Sequence, residues 1–498
     1  MTTSTPPDAG DAPDDSASRI TPALLKLAGV MMLGALMAQL DSTMVNVAID
    51  TLGQEFEAPV GTIQWVSTGY LLAMATVIPL TGWAADRFGA RATWMFCIVA
   101  FLGGSMLCGI AWSAESLIAF RVIQGLGGGM ILPLAQAILV LAAGSQRLGR
   151  LMSAIGVPAM LGPVLGPVIG GSLIDQFSWR WIFYVNLPIC LVTLALSWRI
   201  VPSGTVDASR AKRLDLLGLA LVSPGCAVVI YGLSEAERHG GFTDRHVVIP
   251  LVAGAVLLAG FAWHALRTTV EPIIDLRLFK ARSFAASSAV LFIFGMAMFG
   301  AMLLLPLYYQ QVRGDSAVKA GLLLAPQGVG LAIALILAGQ LTDRMGPRWI
   351  AFAGLLLACV GTIPFCLVQG DSNQLLLSAS LVIRGAGLGA ALVPCMAAAY
   401  RGLPEESVTR ASSAVRIFQQ LGGSFGVAIV AVMLQHRTEN VIADAGGRPS
   451  LDHLAGAFGN VFWWTVAFAT VAVIPALLLP RTLHDAAAPA PREPASTA

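Results

Sequence analysis

The sequence predicts an all-α integral membrane protein of fourteen transmembrane helices, and three observations carry that expectation. Of the 498 residues, 56% are hydrophobic and 12% charged, where a soluble globular chain has roughly a quarter charged. Fourteen apolar stretches reach the ~20 residues that an α-helix needs to cross the hydrocarbon core. These stretches lack the alternation of barrel strands, and a bilayer offers no water to satisfy backbone groups outside helices. The polar connections are too short to fold alone, so one polytopic unit is expected.

Residues 1–22 hold Thr, Pro, Asp and Ser with no apolar run; they read as a disordered cytoplasmic lead, not a cleavable signal peptide. Six spans near 24–49, 61–83, 92–112, 116–141, 151–174 and 181–200 make an N-terminal bundle over 23–201. Two more, 214–234 and 247–266, lie in a linker over 202–282. Six further spans near 284–308, 320–341, 349–369, 375–399, 411–434 and 459–480 make a C-terminal bundle over 283–481. The Ala/Pro-rich tail, 482–498, reads as disordered and cytoplasmic.

With a cytoplasmic N-terminus, twenty-one lysines and arginines fall on the inner side and seven on the outer, with Arg121 and Arg384 left inside the membrane. Arg416 counts with the inner set. This positive-inside bias and the even number of spans place both termini in the cytoplasm of a cell whose inner membrane the chain spans several times. The net charge of +2 says little by itself, and no basic run is long enough to suggest a nucleic-acid surface. Seven cysteines stand singly in apolar segments with no CxxC pair, and of six histidines only His264 falls inside a span. No metal site is expected, and no cofactor beyond a proton gradient.

An internal repeat sets the architecture. Gly82-Trp-Ala-Ala-Asp86-Arg87-Phe-Gly89-Ala-Arg91 follows the second span, and Gly339-Gln-Leu-Thr-Asp343-Arg344-Met-Gly346-Pro-Arg348 the tenth, at an offset of 257 residues. Val122-Ile-Gln124-Gly125-Leu-Gly127 returns as Val382-Ile-Arg384-Gly385-Ala-Gly387 at an offset of 260. Two matches at nearly one offset argue for two pseudo-symmetric six-helix bundles plus two intervening helices, related about the membrane normal.

The segment Gly82 to Arg91 resembles the G-x-x-x-D-R-x-G-x-R loop of the major facilitator superfamily. Further motifs resemble its fourteen-helix drug/proton antiporter branch. These are Leu40-Asp41-Ser-Thr-Met-Val-Asn46-Val-Ala48, Arg121-Val-Ile-Gln124-Gly125-Leu-Gly127, Gly162-Pro163-Val-Leu-Gly166-Pro167-Val-Ile-Gly170-Gly171, and Trp179-Arg180-Trp181-Ile-Phe183-Tyr-Val-Asn186-Leu-Pro188. The resemblance covers about residues 24–480 and implies a secondary transporter of multidrug efflux type, not an enzyme. Trp83, Ala84 and Ala90 depart from the usual loop pattern.

Each motif also has a physical reading. Asp86 and Asp343 can accept hydrogen bonds at a neighbouring helix N-terminus, which makes the two loops (with Gly82, Arg87, Gly89, Arg91, Gly339, Arg344, Gly346 and Arg348) candidate gates; the plainer explanation is a tight turn with a positive anchor. Asp41 is the candidate for proton coupling, because a carboxylate in a membrane helix is expensive, by ~2.5–3.5 kcal/mol on insertion scales. Arg121 lies at a similar depth, counted at ~1.5 Å per residue, and is its expected partner. Drawing the two apart or together would capture or release a proton; a static pair holding two helices is the alternative. Gly162, Gly166 and Gly170 offer a flat face for close helix contact, while Pro163 and Pro167 permit bending.

Candidate substrate-binding residues are Gln64, Trp65, Tyr70, Gln124, Phe292, Met296, Phe299, Tyr308, Gln327 and Gln419, since Met and aromatic surfaces suit promiscuous apolar ligands. One deep carboxylate favours neutral, monocationic or amphipathic cargo over multivalent cations. Gly422-Gly-Ser424-Phe-Gly426 matches a hydrolase pattern, but lies mid-helix without a histidine base, and no phosphate-binding loop is present. The expected function is a proton-coupled antiporter that exports small lipophilic compounds as a monomer embedded in lipid; a proton-coupled uptake carrier for a small metabolite is the alternative. A periplasmic adaptor would engage the longest outer loop, 435–458.

Overall fold

The computed structural model describes residues 21–143, 162, 165–166, 168–202, 214–268, 272–401, 403–444 and 450–481. The first half contains α1 (Pro22–Val47), α2 (Ile49–Glu55), α3 (Val60–Val77), α4 (Leu80–Phe88), α5 (Ala90–Gly109), α6 (Ala114–Gly128), α7 (Ile131–Ala143), α8 (168–176), α9 (Trp181–Tyr184) and α10 (Asn186–Ile200). Two helices follow, α11 (Leu216–His239) and α12 (Arg245–Arg267). The second half contains α13 (Arg282–Leu307), α14 (Ala317–Met345), α15 (Pro347–Cys366), α16 (Gln374–Tyr400), α17 (Glu405–Asp444) and α18 (Leu451–Ala476).

Among the described residues there is no strand, and twelve helical segments are long and apolar enough to cross a membrane. A thirteenth is the pair Thr62–Val77 and Leu80–Phe88, bent by 56° at its break, where Pro79 lacks the amide that would continue the hydrogen-bond ladder. The predicted fifth span, 151–174, lies mostly outside the described residues. Large apolar side chains such as Phe96, Trp198, Ile249 and Ile474 are more than 60% exposed. In water they would be a liability, whereas acyl chains solvate them.

Local signals set the helix ends. Thr21, Ser113, Asp215, Asp244, Ser316, Asn373 and Ser450 each cap a helix by accepting an amide hydrogen bond. Gly89 and Gly346 both have a φ of 85°, which only glycine adopts cheaply. Each of them ends one helix and starts the next, so the repeated motif makes the same turn twice.

Two sequence expectations change. Helix α17 has 40 residues, about 60 Å at 1.5 Å per residue, so it outruns the predicted span 411–434 at both ends. Most of the expected outer loop 435–458 is therefore helix, with α17 running to Asp444 and α18 starting at Leu451. Arg416, counted above with the inner cations, lies buried inside α17, where it is 6% exposed.

Small residues set the packing. Helix α6 packs against α3 and α5, and α16 against α14 and α15. Cβ atoms built on Gly125 and Gly385 would lie 2.6 Å from the Tyr70 carbonyl oxygen and 2.0 Å from that of Gln327. Backbone contact of this kind replaces the hydrophobic driving force that lipid removes. Helix α11 lies against α3 of the first half and α17 of the second, and its Ser223 hydroxyl donates to the Thr76 carbonyl at 2.6 Å.

Gly385→Ala should lower the melting temperature of the detergent-purified protein, because a methyl forced against the α14 backbone overpacks by about 1–3 kcal/mol. Gly103→Ala has nothing within 4 Å of the new methyl and should be neutral or slightly stabilising. Identical melting curves for both variants would contradict this account of the α14–α16 contact.

Candidate functional site

The first half closes around Asp41 of α1, which is 1% exposed. Arg121 Nη1 donates to its Oδ2 at 2.6 Å, while Gln124 Nε2 and Asn186 Nδ2 donate to its Oδ1 at 2.9 and 2.8 Å. Ser105 of α5 accepts from both amides, at 3.0 and 2.9 Å, and donates to the Phe183 carbonyl at 3.1 Å. Arg121 is fully buried; its Nε donates to the Val66 carbonyl at 3.2 Å, and its guanidinium lies 3.9 Å from the centre of the Tyr70 ring. Both carboxylate oxygens accept and neither donates, which is the geometry of an ionised group. Removing one partner of such a buried pair leaves an uncompensated charge, at about 3–5 kcal/mol.

Glycines bring the helices this close. A Cβ on Gly104 would lie 2.5 Å from Gln124 Cα, so α5 and α6 meet where the amide must reach the aspartate. The predicted glycine face also meets this site. Cβ atoms on Gly162, Gly166 and Gly170 would approach Gln39, Thr43 and Met44 at 2.6, 2.0 and 3.1 Å, and the Thr43 hydroxyl donates to the Gly162 carbonyl at 3.2 Å. These contacts bracket Asp41 on α1. Gly171 faces Val318 of α14; Pro163 and Pro167 lie outside the described residues.

The two loop motifs fall on one face of the molecule. Asp86 pairs with Arg410 Nη2 of α17 at 3.5 Å, and a Cβ on Gly82 would meet the Arg410 side chain at 2.8 Å. This ion pair ties the first half to the second. Asp343 lies within electrostatic reach of Arg401. Arg91 donates to the Trp198 carbonyl, and Arg348 Nε to that of Leu479 at 2.6 Å, so the last arginine of each motif anchors the end of its own half. Arg87 and Arg344 lie in the last turns of α4 and α14, where a cation suits the helix dipole, and Gly339 is buried in α14.

The candidate substrate residues scatter. Gln124 and Tyr70 belong to the Asp41 network. Trp65 stacks on Tyr231 of α11 at 5.8 Å, with Gln64 half-buried beside it. Phe292, Met296 and Phe299 lie where α13 meets Gly422, Gly423 and Gly426 of α17, which explains the hydrolase-like pattern as a packing face. Gln327 accepts from Arg384, Gln419 from Arg416. Tyr308 sits apart in an aromatic cluster with Tyr309, Phe365 and Phe458, its hydroxyl donating to the Gln369 carbonyl at 3.2 Å.

Sequence reasoning left out Ser105, Asn186, Arg410 and Arg416 as site residues. Asn186 stood inside a recognised motif, and Ser105 was a lone hydroxyl in an apolar run, yet neither pattern reports which neighbour a side chain meets. His264 lies at a helix end, its Nε2 2.8 Å from Asp215 Oδ1. Away from the spans, His239, Asp244 and His246 cluster at the α11–α12 turn. There Asp244 caps α12, and hydrogen bonds from His246 hold its carboxyl below the usual range.

Asp86→Asn should open the Arg410 contact. A cysteine replacing buried Thr409 beside it should then react severalfold faster with a membrane-impermeant maleimide, as loss of a partly exposed pair of about 1 kcal/mol predicts. The swap Asp86→Arg with Arg410→Asp should restore the slow rate. An unchanged rate in Asp86→Asn would show that the pair does not hold this face shut.

Residues 31–427 match the Major Facilitator Superfamily. The chain is 39% identical over 494 residues to the "Multidrug resistance protein B homolog" of Mycobacterium tuberculosis, covering 93% of this chain and 91% of that one. It is 29% identical over 430 residues to the "Multidrug export protein EmrB" of Haemophilus influenzae, covering 85% and 84%. Among solved structures, the proton:xylose symporter XylE superposes with a TM-score of 0.62 at 15% identity, over 91% of this chain and 94% of that one. An all-helical multi-pass membrane chain with these relatives is a transporter and not an enzyme, and it belongs to the Major Facilitator Superfamily.

Proposed function

We propose that the protein is a drug efflux antiporter of the fourteen-helix branch, exporting small lipophilic compounds in exchange for protons by alternating access. In this reading two pseudo-symmetric six-helix bundles rock about a central site, α11 and α12 being the intervening pair. Both termini and the Asp86–Arg410 face are cytoplasmic, in the inner membrane. Efflux is supported by relatives named for multidrug resistance and multidrug export, and by the Gly162-to-Gly171 segment, whose resemblance is to exporters. An outer adaptor, if one is used, would meet the projecting ends of α17 and α18.

The observation that carries proton coupling is the isolation of Asp41, a carboxylate deep in α1 held by three donors from α6 and α10. Protonation would cancel its charge and remove an acceptor, loosening α1 from both helices at once. Arg121 would keep its contacts with the Val66 carbonyl and the Tyr70 ring, so the released element is α1. Because α1 at this level rests on the Gly162–Gly170 face, a change in proton occupancy reaches a smooth helix interface that can slide.

Reconstituted protein under an imposed pH gradient should move fluorescent lipophilic compounds against the proton flow. Asp41→Asn should abolish the response to the gradient while the protein stays in the membrane. Movement of substrate and protons in the same direction would favour the uptake reading, and equal behaviour of variant and wild type would remove Asp41 from the mechanism.

A further inference from the structure

We infer that the seam between the two halves holds an anion-binding point built on Arg416 and the Tyr70 hydroxyl, and that the preferred cargo is a lipophilic compound bearing one carboxylate or similar oxyanion. The inference rests on the transport reading above and adds the charge of what is carried.

The buried charged side chains among the described residues are Asp41, Arg121, Asp215, Glu235, Arg384 and Arg416. Asp215 and Glu235 sit towards opposite ends of α11 and are engaged there, the first by His264 at 2.8 Å and the second by Arg238 at 3.1 Å. The helix interior is left with three arginines and one aspartate, and Arg121 takes the aspartate. Arg384 and Arg416 have amide oxygens where a carboxylate would be expected, from Gln327 and from Gln419 at 3.2 Å. Among the described residues neither guanidinium forms an ion pair. A guanidinium withdrawn from water requires a full counter-charge, which an amide dipole only partly replaces.

The two arginines differ in position. Arg384 is enclosed within the second half, where a Cβ on Gly361 of α15 would lie 2.3 Å from its backbone nitrogen. Arg416 instead lies within electrostatic reach of Tyr70 on α3 of the first half, and of Tyr400 on α16. The Tyr400 hydroxyl is satisfied, donating to Gln136 Oε1 of α7 at 3.1 Å. The Tyr70 hydroxyl is not: the residue is 1% exposed, and its oxygen has no hydrogen-bond partner among the described residues. Gly128 packs against it, since a Cβ there would lie 2.9 Å from that oxygen. An idle hydroxyl donor and a cation with no ion pair among the described residues, within electrostatic reach of each other across the seam, form the donor set that an oxyanion completes through charge-assisted hydrogen bonds. Arg416 lies six residues beyond Arg410, about 9 Å along α17, so the site is reached once the Asp86–Arg410 contact parts.

The test uses the purified full-length protein and three pyrene compounds on one skeleton: a carboxylate, its methyl ester and the corresponding amine. Binding is read by energy transfer from the eleven tryptophans to pyrene, and transport in proteoliposomes. Wild type should bind the carboxylate at least about tenfold more tightly than the ester or the amine, the scale of a charge-assisted hydrogen bond. Arg416→Gln should erase that preference and leave ester binding in place. Arg416→Lys should keep part of it, since charge survives but the planar fork does not, and Tyr70→Phe should weaken carboxylate binding severalfold. If Arg416→Gln fails to fold, the lysine and phenylalanine variants decide the question. Equal affinity of wild type for all three compounds, or a preference untouched by these substitutions, overturns the proposal. Arg416-dependent binding of the carboxylate with no movement of any compound would sink the transport reading and leave the anion site standing.

Discussion

An ionised aspartate in a low-dielectric interior must be compensated on all sides, and the first half is arranged around that demand. Asp41 receives a guanidinium and two carboxamides, Ser105 orients the carboxamides, and the Phe183 carbonyl orients Ser105. Each partner comes from a different level of the chain, so the network fixes how α1, α5, α6, α9 and α10 pack. Its many hydrogen bonds make it rigid, and its dependence on one charge makes it switchable, because a single proton changes what Asp41 can accept.

Close helix approach is the second constraint, and it serves the first. Lipid is as apolar as leucine, so side-chain burial alone does little to hold membrane helices together. Gly104, Gly125 and Gly162–Gly170 let backbones come near enough for short polar side chains to meet. The second half uses the same device at Gly354, Gly385 and Gly387, but there it encloses Arg384 with a glutamine. One half thus buries a neutralised pair and the other an excess of positive charge.

Much of the scaffold was legible in the sequence. Spans 181–200, 349–369 and 375–399 fall within about three residues of the observed helices, because bilayer thickness and hydropathy act on each segment independently. The Asp41–Arg121 pairing was legible too, since both residues are too costly in lipid to stand alone at similar depth. Arg416 was misread. It fell inside the predicted span 411–434 yet was counted with the inner cations; the helix begins eleven residues before it, at Glu405, and buries it. The substrate residues were chosen by side-chain type, and the structure spreads them over several helix seams.

The sequence by itself determined the solvent of this protein, its helical class, its duplicated motifs and the one carboxylate worth attention, all of which follow from local composition and spacing. Only the tertiary structure decided which polar groups meet. It joined Asp86 to Arg410, recruited Ser105 and Asn186 to Asp41, and brought Arg416 within electrostatic reach of Tyr70. Hydropathy is a property of one segment in its solvent, whereas electrostatic compensation depends on side chains tens to hundreds of residues apart in the chain, and their meeting is set by helix packing.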